Sequence, residues 1–325
     1  MKIFRNLASV DIGEEDSCLI LGVFDGVHIG HQQLLRRVVE VSRARGLLSM
    51  ALTFDPHPEA VLSPKGGPPL ITNLEEKLAL FRELGLKAAV VLSFDRALAN
   101  MPARDFVRKI LLGRLRANYI VAGPESTFGK GAKGNAALLQ EMGEELGFHV
   151  EVIDEVVSND QIVSSTAIRQ AIQAGEMEHA AKMLGRPYRI SGTVMTGAGR
   201  GQELGFPTAN LSPPAEKVLP PDGVYACVAG VGEDIPQCNW DVLNDPEGHV
   251  AVVYIGKRPT FGGGERLIEV HLCEEDLQLY GKELGVCFFS RLRGDMTFAG
   301  PEELVQQMVE DARQAFEVVG EYYSQ

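Results

Sequence analysis

Short apolar runs alternate with helical patterns through the first 185 residues, and this alternation is the feature that most constrains the fold. Successive strands that are joined by helices lie parallel in one sheet, with the helices on its two faces. The pattern therefore predicts an α/β, Rossmann-like parallel sheet, and the ligands of such sheets bind beyond the carboxyl ends of the strands. The predicted strands span 19–24, 48–54, 88–94, 119–123 and 149–153, and the predicted helices span 30–45, 73–85, 102–116, 135–147, 165–174 and 176–184.

The character of the sequence changes after residue 185, where glycine and proline become dense and the apolar runs become short and β-rich. Several short strands with frequent turn signals predict an antiparallel β-barrel. A terminal amphipathic helix is predicted from Pro301 to about Tyr322. We therefore predict two domains, 1–185 and 186–325. The predicted barrel strands span 188–195, 223–231, 250–255, 267–272 and 284–289, and the predicted packing face of the last helix comprises Leu304, Met308, Ala312, Ala315, Phe316 and Val319.

Composition argues against several classes of protein. The net charge is −13, and residues 186–325 hold 21 acidic against 11 basic side chains, so we expect no binding of nucleic acid. No apolar run reaches the ~18 residues of a membrane span, so we expect no membrane segment, and the first residues do not resemble a signal peptide. The five cysteines are odd in number and scattered, which predicts reduced thiols and a cytoplasmic protein. The oligomeric state is left open.

The first predicted strand leads into a tight Asp25-Gly26 turn and then into His28 and His31 at the start of a helix. A helix N-terminus offers unpaired N–H groups and the positive end of the helix dipole, so phosphate binds there readily. Imidazoles can add donors where charge builds up during phosphoryl transfer. The layout favours a nucleotide triphosphate site over a capping or surface histidine pair, and no third ligand at a recognisable spacing supports a metal. Three glycines allow close approach of the backbone to a ligand: Gly22, Gly26 and Gly30.

Two other predicted strand ends carry polar side chains. Residues 54–58, Phe-Asp-Pro-His-Pro, form a proline-braced turn that is either a simple turn or a wall holding His57 beside a nucleotide. Glu125 follows the predicted strand 119–123. Because His28, His57 and Glu125 all lie just past predicted strand ends, we expect them to converge on one crevice.

A run of hydroxyl side chains opens the predicted helix 165–174. A helix cap explains part of this run. Three hydroxyls followed one turn later by Arg169 also suit a triphosphate at the helix start, with the arginine on the leaving phosphates. The hydroxyl residues are Ser164, Ser165 and Thr166. The stretch 129–134 matches G-x-G-x-x-G but lies deep in the domain, so we interpret it as a flexible loop beside a ligand.

The second half carries a separate group of polar residues. A glycine-rich loop around Gly199 has one cation, Arg200, and is followed by Thr208 and Asn210. Two residues apart on an extended segment, the last two side chains share one face. Their oxygens are hard donors that suit Mg²⁺ held against ATP phosphates. Glu269 lies in a predicted strand, and a carboxylate beside such a site is a candidate general base for a hydroxyl nucleophile. Each residue alone also fits a turn or an exposed strand position.

Together these segments resemble the prokaryotic bifunctional riboflavin kinase/FMN adenylyltransferases, also called FAD synthetases, over nearly the whole chain. In the first half the matching segments are F-D-G-V-H-x-G-H at 24–31, T-F-x-P-H-P at 53–58 and S-S-T-x-I-R at 164–169. In the second half they are L-G-R-P-Y at 184–188, G-F-P-T-A-N at 205–210, G-V-Y at 223–225, I-G-x-R-P-T-F at 255–261, E-V-H at 269–271 and L-Y-G at 279–281. The histidine segment and P-T-A-N, in this order on one chain, are highly specific together.

The resemblance implies two modules and two reactions. A riboflavin kinase-like barrel would transfer the γ-phosphate of ATP to the 5′-hydroxyl of riboflavin, with Mg²⁺ as cofactor, and give FMN. A nucleotidyltransferase module of Rossmann-like fold would then transfer AMP from a second ATP to FMN, giving FAD and pyrophosphate. Riboflavin, FMN and ATP are therefore the expected partners.

The resemblance also assigns roles to the matching positions of this sequence. Catalytic roles are expected for His28, His31, Arg169 and Glu269, with Glu269 as the base of the kinase. ATP binding is expected at Gly22, Phe24, Asp25, Gly26, Gly30, Ser164, Ser165 and Thr166 in the first module, and at Gly199, Arg200, Thr208 and Asn210 in the second. Thr208 and Asn210 are also the expected metal ligands. Flavin binding is expected at Pro56, His57, Glu125, Phe128 and Arg291.

The chain departs from the family pattern at a few positions. Glu125-Ser126 stands where Asp or Asn followed by an aromatic residue is usual, and Val23, Asn135 and Tyr254 stand where a small polar residue, Asp and Asn are common. The first departure motivates an alternative, a riboflavin kinase whose first module has lost adenylyl transfer. A non-catalytic flavin or nucleotide sensor is a second alternative, which would need no base. A nucleotidyltransferase for another substrate is a third, and it leaves the second half unexplained.

Overall fold

The computed structural model describes residues 1–154, 156–158, 161–195, 205–231, 248–257, 266–273 and 279–324, so the predicted ATP-binding residues Gly199 and Arg200 lie outside the described residues. The chain forms two compact units, Met1–Ser165 and Thr166–Gln325. The expected fold class is confirmed, because the first unit holds a parallel sheet and the second a closed antiparallel barrel with a terminal helix. The domain limits 1–185 and 186–325 stay a prediction.

The sheet of the first unit has six parallel strands with its core on both faces. The strands are β1 (Lys2–Phe4), β2 (Ser17–Leu21), β3 (Leu48–Asp55), β4 (Ala88–Ser93), β5 (Ala117–Ala122) and β6 (His149–Val152). Their order across the sheet is β1-β4-β3-β2-β5-β6. Leu19 and Met50 face one hydrophobic cluster, whereas Ile20 and Ala51 face the other, so continuous apolar runs are needed in the central strands. The chain turns from β2 to β3 on one side and reaches β5 on the other, which makes the ends of β2 and β5 a switch point for ligand binding.

The longer helices of the first unit lie close to predicted positions, whereas two short helices, Pro58–Leu62 and Arg96–Ala99, were not predicted. The helices are α1 (Ile29–Arg45), α2 (Pro58–Leu62), α3 (Leu74–Glu83), α4 (Arg96–Ala99), α5 (Ala103–Asp105) and α6 (Ala136–Leu146). A π-helical segment, Phe106–Leu112, continues from α5, so the predicted helix 102–116 is shorter and less regular than expected. The predicted strand 19–24 also ends early, at Leu21, because Phe24 and Val27 adopt left-handed φ angles of 53° and 40°. Two short strands, β7 (Val157–Ser158) and β8 (Gln161–Ile162), form a separate hairpin.

The second unit opens with helices α7 (Ser165–Ala174) and α8 (Met177–Leu184), of which α7 begins at the last residue of the first unit. The barrel strands are β9 (Tyr188–Met195), β10 (Ala209–Ser212), β11 (Gly223–Val231), β12 (Gly248–Lys257), β13 (Arg266–Leu272) and β14 (Glu283–Arg293). Their closed order is β10-β13-β12-β11-β14-β9. Five of these strands were predicted, and β10 was not. Fully buried aromatic rings fill the barrel, with Tyr225 and Phe288 packed edge to face at 5.5 Å.

The terminal helix α9 (Pro301–Tyr323) packs on the barrel through Ala315 and Val319, which are fully buried. The prediction that Phe316 belongs to this packing face is wrong, because the ring is 38% exposed. Asp311 is buried instead and accepts hydrogen bonds from the Arg293 guanidinium at 2.7 and 3.0 Å. No helix within the described ranges is both long and apolar enough to cross a membrane.

The cysteines only partly match the prediction of reduced thiols. Cys18, Cys227 and Cys273 form no disulfide. Cys287, in β14, is disulfide-bonded, so the prediction is wrong at that position.

Candidate active sites

A buried carboxylate stabilises the turn that follows β2. Asp25 is 2% exposed and accepts hydrogen bonds from the backbone N–H groups of Ile71 and Thr72, each at 3.0 Å. The hydroxyl of Thr72 accepts a bond from the Gly26 N–H at 3.0 Å. Asp25 therefore fixes the segment that leads into α3. In the predicted ATP site, Asp25 supports the turn by these hydrogen bonds.

The two histidines of this turn stack on each other at the start of α1. His28 is the N-cap residue of α1, and its Nδ1 accepts a hydrogen bond from the His31 backbone N–H at 3.4 Å. The two rings lie 3.6 Å apart with 21° between their planes, and the Phe24 ring meets His31 edge-on at 5.2 Å. Gly22 and Gly30 make room for these rings, because an added Cβ would lie 2.9 Å from the Phe24 ring and 3.3 Å from the His28 ring. The glycines of the motif thus serve ring packing.

The imidazole of His31 is held neutral. Burial lowers the pKa of His31 well below its ordinary value, and the neighbouring His28 and Lys77 lower it further. The Nδ1 atom of His31 is buried and has no hydrogen-bond partner among the described residues. A neutral imidazole with one unsatisfied ring nitrogen is suited to a hydrogen bond with a ligand at this helix N-terminus.

A buried lysine that no sequence motif marks lies beside the histidines. Lys77, in α3, is 6% exposed, and its ammonium donates one long hydrogen bond, 3.5 Å, to the hydroxyl of Thr53. Burial lowers the pKa of Lys77, and the carboxylates of Asp25 and Asp55 partly oppose this shift. The signal in the sequence was its spacing, because residue 77 falls on the same helix face as the apolar Leu74, Leu78 and Phe81.

The residues predicted to converge follow the carboxyl ends of three neighbouring strands, β3, β2 and β5. After β3, His57 caps α2 by accepting a hydrogen bond from the Glu59 N–H at 3.2 Å, with Pro56 exposed before it. After β5, Glu125 is exposed, and the Ser126 hydroxyl accepts a bond from the Gly123 N–H at 3.0 Å. The departure at Ser126 thus supplies a local turn contact.

Phe128 and the glycine-rich stretch 129–134 have a defined, hydrogen-bonded geometry. Phe128 and Gly134 exchange two backbone hydrogen bonds, at 3.1 and 2.9 Å. The Phe128 ring is 6% exposed and packs on Phe106. Gly129 lies so close to the Ala103 backbone that an added Cβ would approach it to 2.6 Å. The structure therefore places Phe128, a predicted flavin-binding residue, in the core beneath this loop.

The hydroxyl run reaches the same turn as Asp25. Ser165 donates a hydrogen bond from its Oγ to the backbone carbonyl of Asp25 at 2.8 Å. Ser164 is half-buried just before α7, and Thr166 and Arg169 lie in the first turns of that helix. Within the first unit, Ser165 is thus the hydroxyl residue that the structure joins to the β2 turn.

The residues predicted for the second site lie side by side on the barrel. Asn210 in β10 is directly opposite Glu269 in β13, and Glu269 is directly opposite Tyr254 in β12. Residues opposite each other on antiparallel strands point to the same face, so these three side chains share one face of the barrel. Asn210 is 7% exposed, and Thr208 is half-buried just before β10. His271 supports this segment, because its Nδ1 lies 2.9 Å from the Pro207 carbonyl oxygen.

This face of the barrel is acidic. Burial raises the pKa of Tyr254 to about 12, and a hydrogen bond with Asp295 and the nearby charges of Asp295, Asp222 and Glu269 add to the shift. The phenol lies over Gly256, where an added Cβ would come within 2.1 Å of the hydroxyl. No group of three or more His, Cys, Asp or Glu side chains among the described residues could hold a metal alone. The hydroxyl and amide oxygens of Thr208 and Asn210 beside these carboxylates nevertheless fit a hard cation that also binds phosphate oxygens.

Arg291, predicted to bind flavin, lines a polar cleft in the second unit with Gly175, Lys182 and Ser290. Its Nη2 donates to the Asp222 carbonyl oxygen at 2.7 Å. Its Nε is buried without a hydrogen-bond partner among the described residues. The guanidinium is therefore anchored at one end and unsatisfied at the other.

Comparison with known proteins gives the same division into two parts. A family model described as FAD synthetase matches residues 12–167, and one described as riboflavin kinase matches residues 184–319. A bifunctional riboflavin kinase/FMN adenylyltransferase of Escherichia coli strain K12 is 34% identical over 323 residues, which cover 98% of each chain. The protein of the same description from Bacillus subtilis strain 168 is 34% identical and covers 92% of this chain and 91% of its own. A crystal structure described as a macrolide-efflux protein from Streptococcus pneumoniae matches with a TM-score of 0.84 and 29% identity, over 96% of this chain and 97% of its own.

Proposed function

The chain belongs to the family of bifunctional riboflavin kinase/FMN adenylyltransferases, and we propose how its residues divide the two reactions. The second unit phosphorylates riboflavin to FMN with ATP, and the first unit adenylylates FMN to FAD with a second ATP. The observation that carries this conclusion is the presence of both family modules on one chain with full-length relatives of that description. The expected bifunctional enzyme is therefore confirmed over the alternatives of a kinase alone, a sensor or another nucleotidyltransferase.

In the kinase, Glu269 is the general base. Its carboxylate takes the proton of the riboflavin 5′-hydroxyl as that oxygen attacks the γ-phosphorus of ATP and the bond to ADP breaks. The position of Asn210 directly opposite Glu269 supports this assignment, because a nucleotide held by Asn210 would present its phosphates to the base. Thr208 and Asn210 would hold Mg²⁺, which supplies charge neutralisation at the phosphates when bound.

In adenylyl transfer, a phosphate oxygen of FMN attacks the α-phosphorus of ATP, and the bond to pyrophosphate breaks. The neutral imidazole of His31 donates a hydrogen bond to the phosphates, and His28 holds it in place by stacking. The first N–H groups of α1 add donors at the same place. Ser165 fixes the β2 turn, and the resemblance gives Thr166 and Arg169 roles on the nucleotide.

The flavin contacts stay proposals. Pro56, His57 and Glu125 follow the ends of β3 and β5, beside the switch point, which supports a role in binding FMN. For Phe128 we propose an indirect role, since its ring supports the glycine-rich loop from the core. Arg291 has an unsatisfied Nε on the barrel, which supports contact with a flavin there. The cytoplasmic location and the lack of nucleic-acid and membrane partners also stay predictions.

A product assay tests the function directly. The purified chain is incubated with ATP and Mg²⁺ and either riboflavin or FMN, and the flavins are separated by chromatography. We expect FMN and FAD from riboflavin, and FAD from FMN. FMN from riboflavin with no FAD from either substrate would refute the adenylyltransferase and show that the change at Glu125-Ser126 is not tolerated.

A further inference from the structure

Lys77 is a buried cation whose ammonium forms no direct ion pair within the described part of the chain, although the carboxylates of Asp25 and Asp55 lie near enough to act on its pKa. It is 6% exposed, its single hydrogen bond to Thr53 is long, and it forms no ion pair among the described residues. The carboxylate of Asp25 already accepts hydrogen bonds from the backbone of Ile71 and Thr72. A buried ammonium that lacks a hydrogen-bonded anion is costly to keep charged. Among the described residues, Thr53 thus uses only part of the hydrogen-bonding capacity of the Lys77 ammonium.

The other features around Lys77 point to the kind of partner. Its charge acts on His31, whose Nδ1 is also buried without a partner among the described residues. Lys77 contacts Thr53 near the end of β3, and His31 lies in the first turn of α1, the helix that follows β2. An ammonium, an unsatisfied imidazole nitrogen and a helix N-terminus together form a site for an anion with several oxygens.

We propose that Lys77 binds phosphate oxygens of the adenylyl-transfer substrates and neutralises the charge that develops on them. This inference rests on the proposed adenylyltransferase function and adds a residue to it. As the FMN oxygen bonds to the α-phosphorus and the bond to pyrophosphate breaks, negative charge moves to the leaving oxygens. The ammonium stays protonated through the step and stabilises that charge by hydrogen bonds that it cannot make in the free enzyme.

The test compares Lys77→Met with wild type. Methionine keeps the length and volume of the side chain, and replacement of an unpaired buried charge by an apolar group does not require loss of the fold. Lys87→Met is the matched control, because Lys87 is an exposed lysine of the same unit that directly precedes β4. Riboflavin phosphorylation by the same preparation is the internal measure of a folded barrel.

The assay follows FMN adenylylation and its reverse, in which FAD and pyrophosphate give FMN and ATP. We expect Lys77→Met to lower kcat/KM for adenylyl transfer by about 10- to 100-fold, as for a lost charge-assisted hydrogen bond, and to leave riboflavin phosphorylation unchanged. A raised KM for pyrophosphate in the reverse reaction would place Lys77 on the leaving phosphates. A raised KM for FMN alone would place it on the acceptor phosphate, and both results support the proposal.

Unchanged kinetic constants of Lys77→Met in the forward and reverse reactions would overturn the proposal, even if the thermal stability changes. A lysine with a structural role alone alters stability without altering the recognition of pyrophosphate or FMN. A loss matched by Lys87→Met would also overturn it. Absence of FAD formation by the wild-type chain would instead refute the adenylyltransferase function itself, so the two failures are distinguishable.

Discussion

The buried ion pair between α9 and β14 allows a quantitative prediction. Asp311 is 2% exposed and accepts hydrogen bonds from Arg293 at Nε and Nη2 and from Gln307 at 2.9 Å. Asp311→Asn keeps the shape but leaves the Arg293 guanidinium, only 18% exposed, without its counter-charge. Removal of one partner of a buried pair costs about 3–5 kcal/mol. Because Arg293 keeps some exposure, we expect about 3 kcal/mol, roughly a hundredfold rise in the unfolded fraction.

The measurement is urea unfolding of the second unit, followed by residual riboflavin phosphorylation and circular dichroism. With a denaturant slope of about 2 kcal/mol/M, the midpoint should fall by about 1.5 M, while FMN adenylylation serves as the separate record of the first unit. Glu310→Gln is the matched control, because Glu310 is the neighbouring residue of α9 but pairs with Arg313 at the surface, where ion pairs contribute little. A shift for Asp311→Asn no larger than that of Glu310→Gln would refute the reasoning. The double change Arg293→Met with Asp311→Leu should recover most of the loss.

Three further predictions concern the two sites. Asn210→Ala should abolish riboflavin phosphorylation and spare FMN adenylylation, whereas His31→Ala should do the reverse; loss of both products in either folded variant would contradict the assignment to separate sites. Glu269→Gln should lower the kinase kcat by about 10²–10⁴-fold with a smaller change in the riboflavin KM, and steady-state kinetics that show the KM alone changing would argue against a base. Burial lowers the pKa of His31 in the folded chain, so below pH ~6.5 the unfolded chain takes up a proton that the folded chain does not. The free energy of unfolding is therefore highest above that pH and falls as the pH decreases toward the folded pKa. The free energy of unfolding should fall by at most about 1.4 kcal/mol per pH unit. The urea midpoints at pH 7.5 and 5.5 should differ less in His31→Gln than in the wild type, and an equal difference in the two proteins would contradict the prediction.

The fold was predictable where local pattern decides it. The central strands of the sheet are buried on both faces, so their apolar runs marked them in the sequence. β10 was missed because Ala-Asn-Leu-Ser is short and half polar and begins two residues after a proline, and its pairing is with two strands that are distant in sequence. β1 was missed for the same reason, as a three-residue strand that pairs with β4.

The position of His28 and His31 at the start of a helix was predictable because their motif directly follows a strand, while their roles stay predictions. Lys77 and Asp311 were not predictable, because each occupies a buried position on a helix that the apolar pattern assigned to packing alone. The partner of Asp311 lies on β14, and the Lys77 ammonium contacts Thr53 of β3, so only the tertiary structure reveals why a charge is placed there. Phe316 shows the converse error, an apolar side chain on the predicted face that stays exposed.

The short strand β10 links the kinase chemistry to the integrity of the barrel. Among the described residues, β10 pairs with each of its neighbours through three residue pairs, whereas β11 and β12 pair through eight. β10 is therefore the most weakly paired strand of the closed sheet. Local unfolding occurs preferentially at such weakly paired strands, and the free energy of local unfolding is lower than that of global unfolding. Asn210 lies in β10, so a nucleotide that binds at Asn210 would stabilise the closed barrel by mass action. If Asn210 binds nucleotide as proposed, the bound substrate holds β10 in the closed barrel, and we expect local opening of β10 to be most frequent in the free kinase.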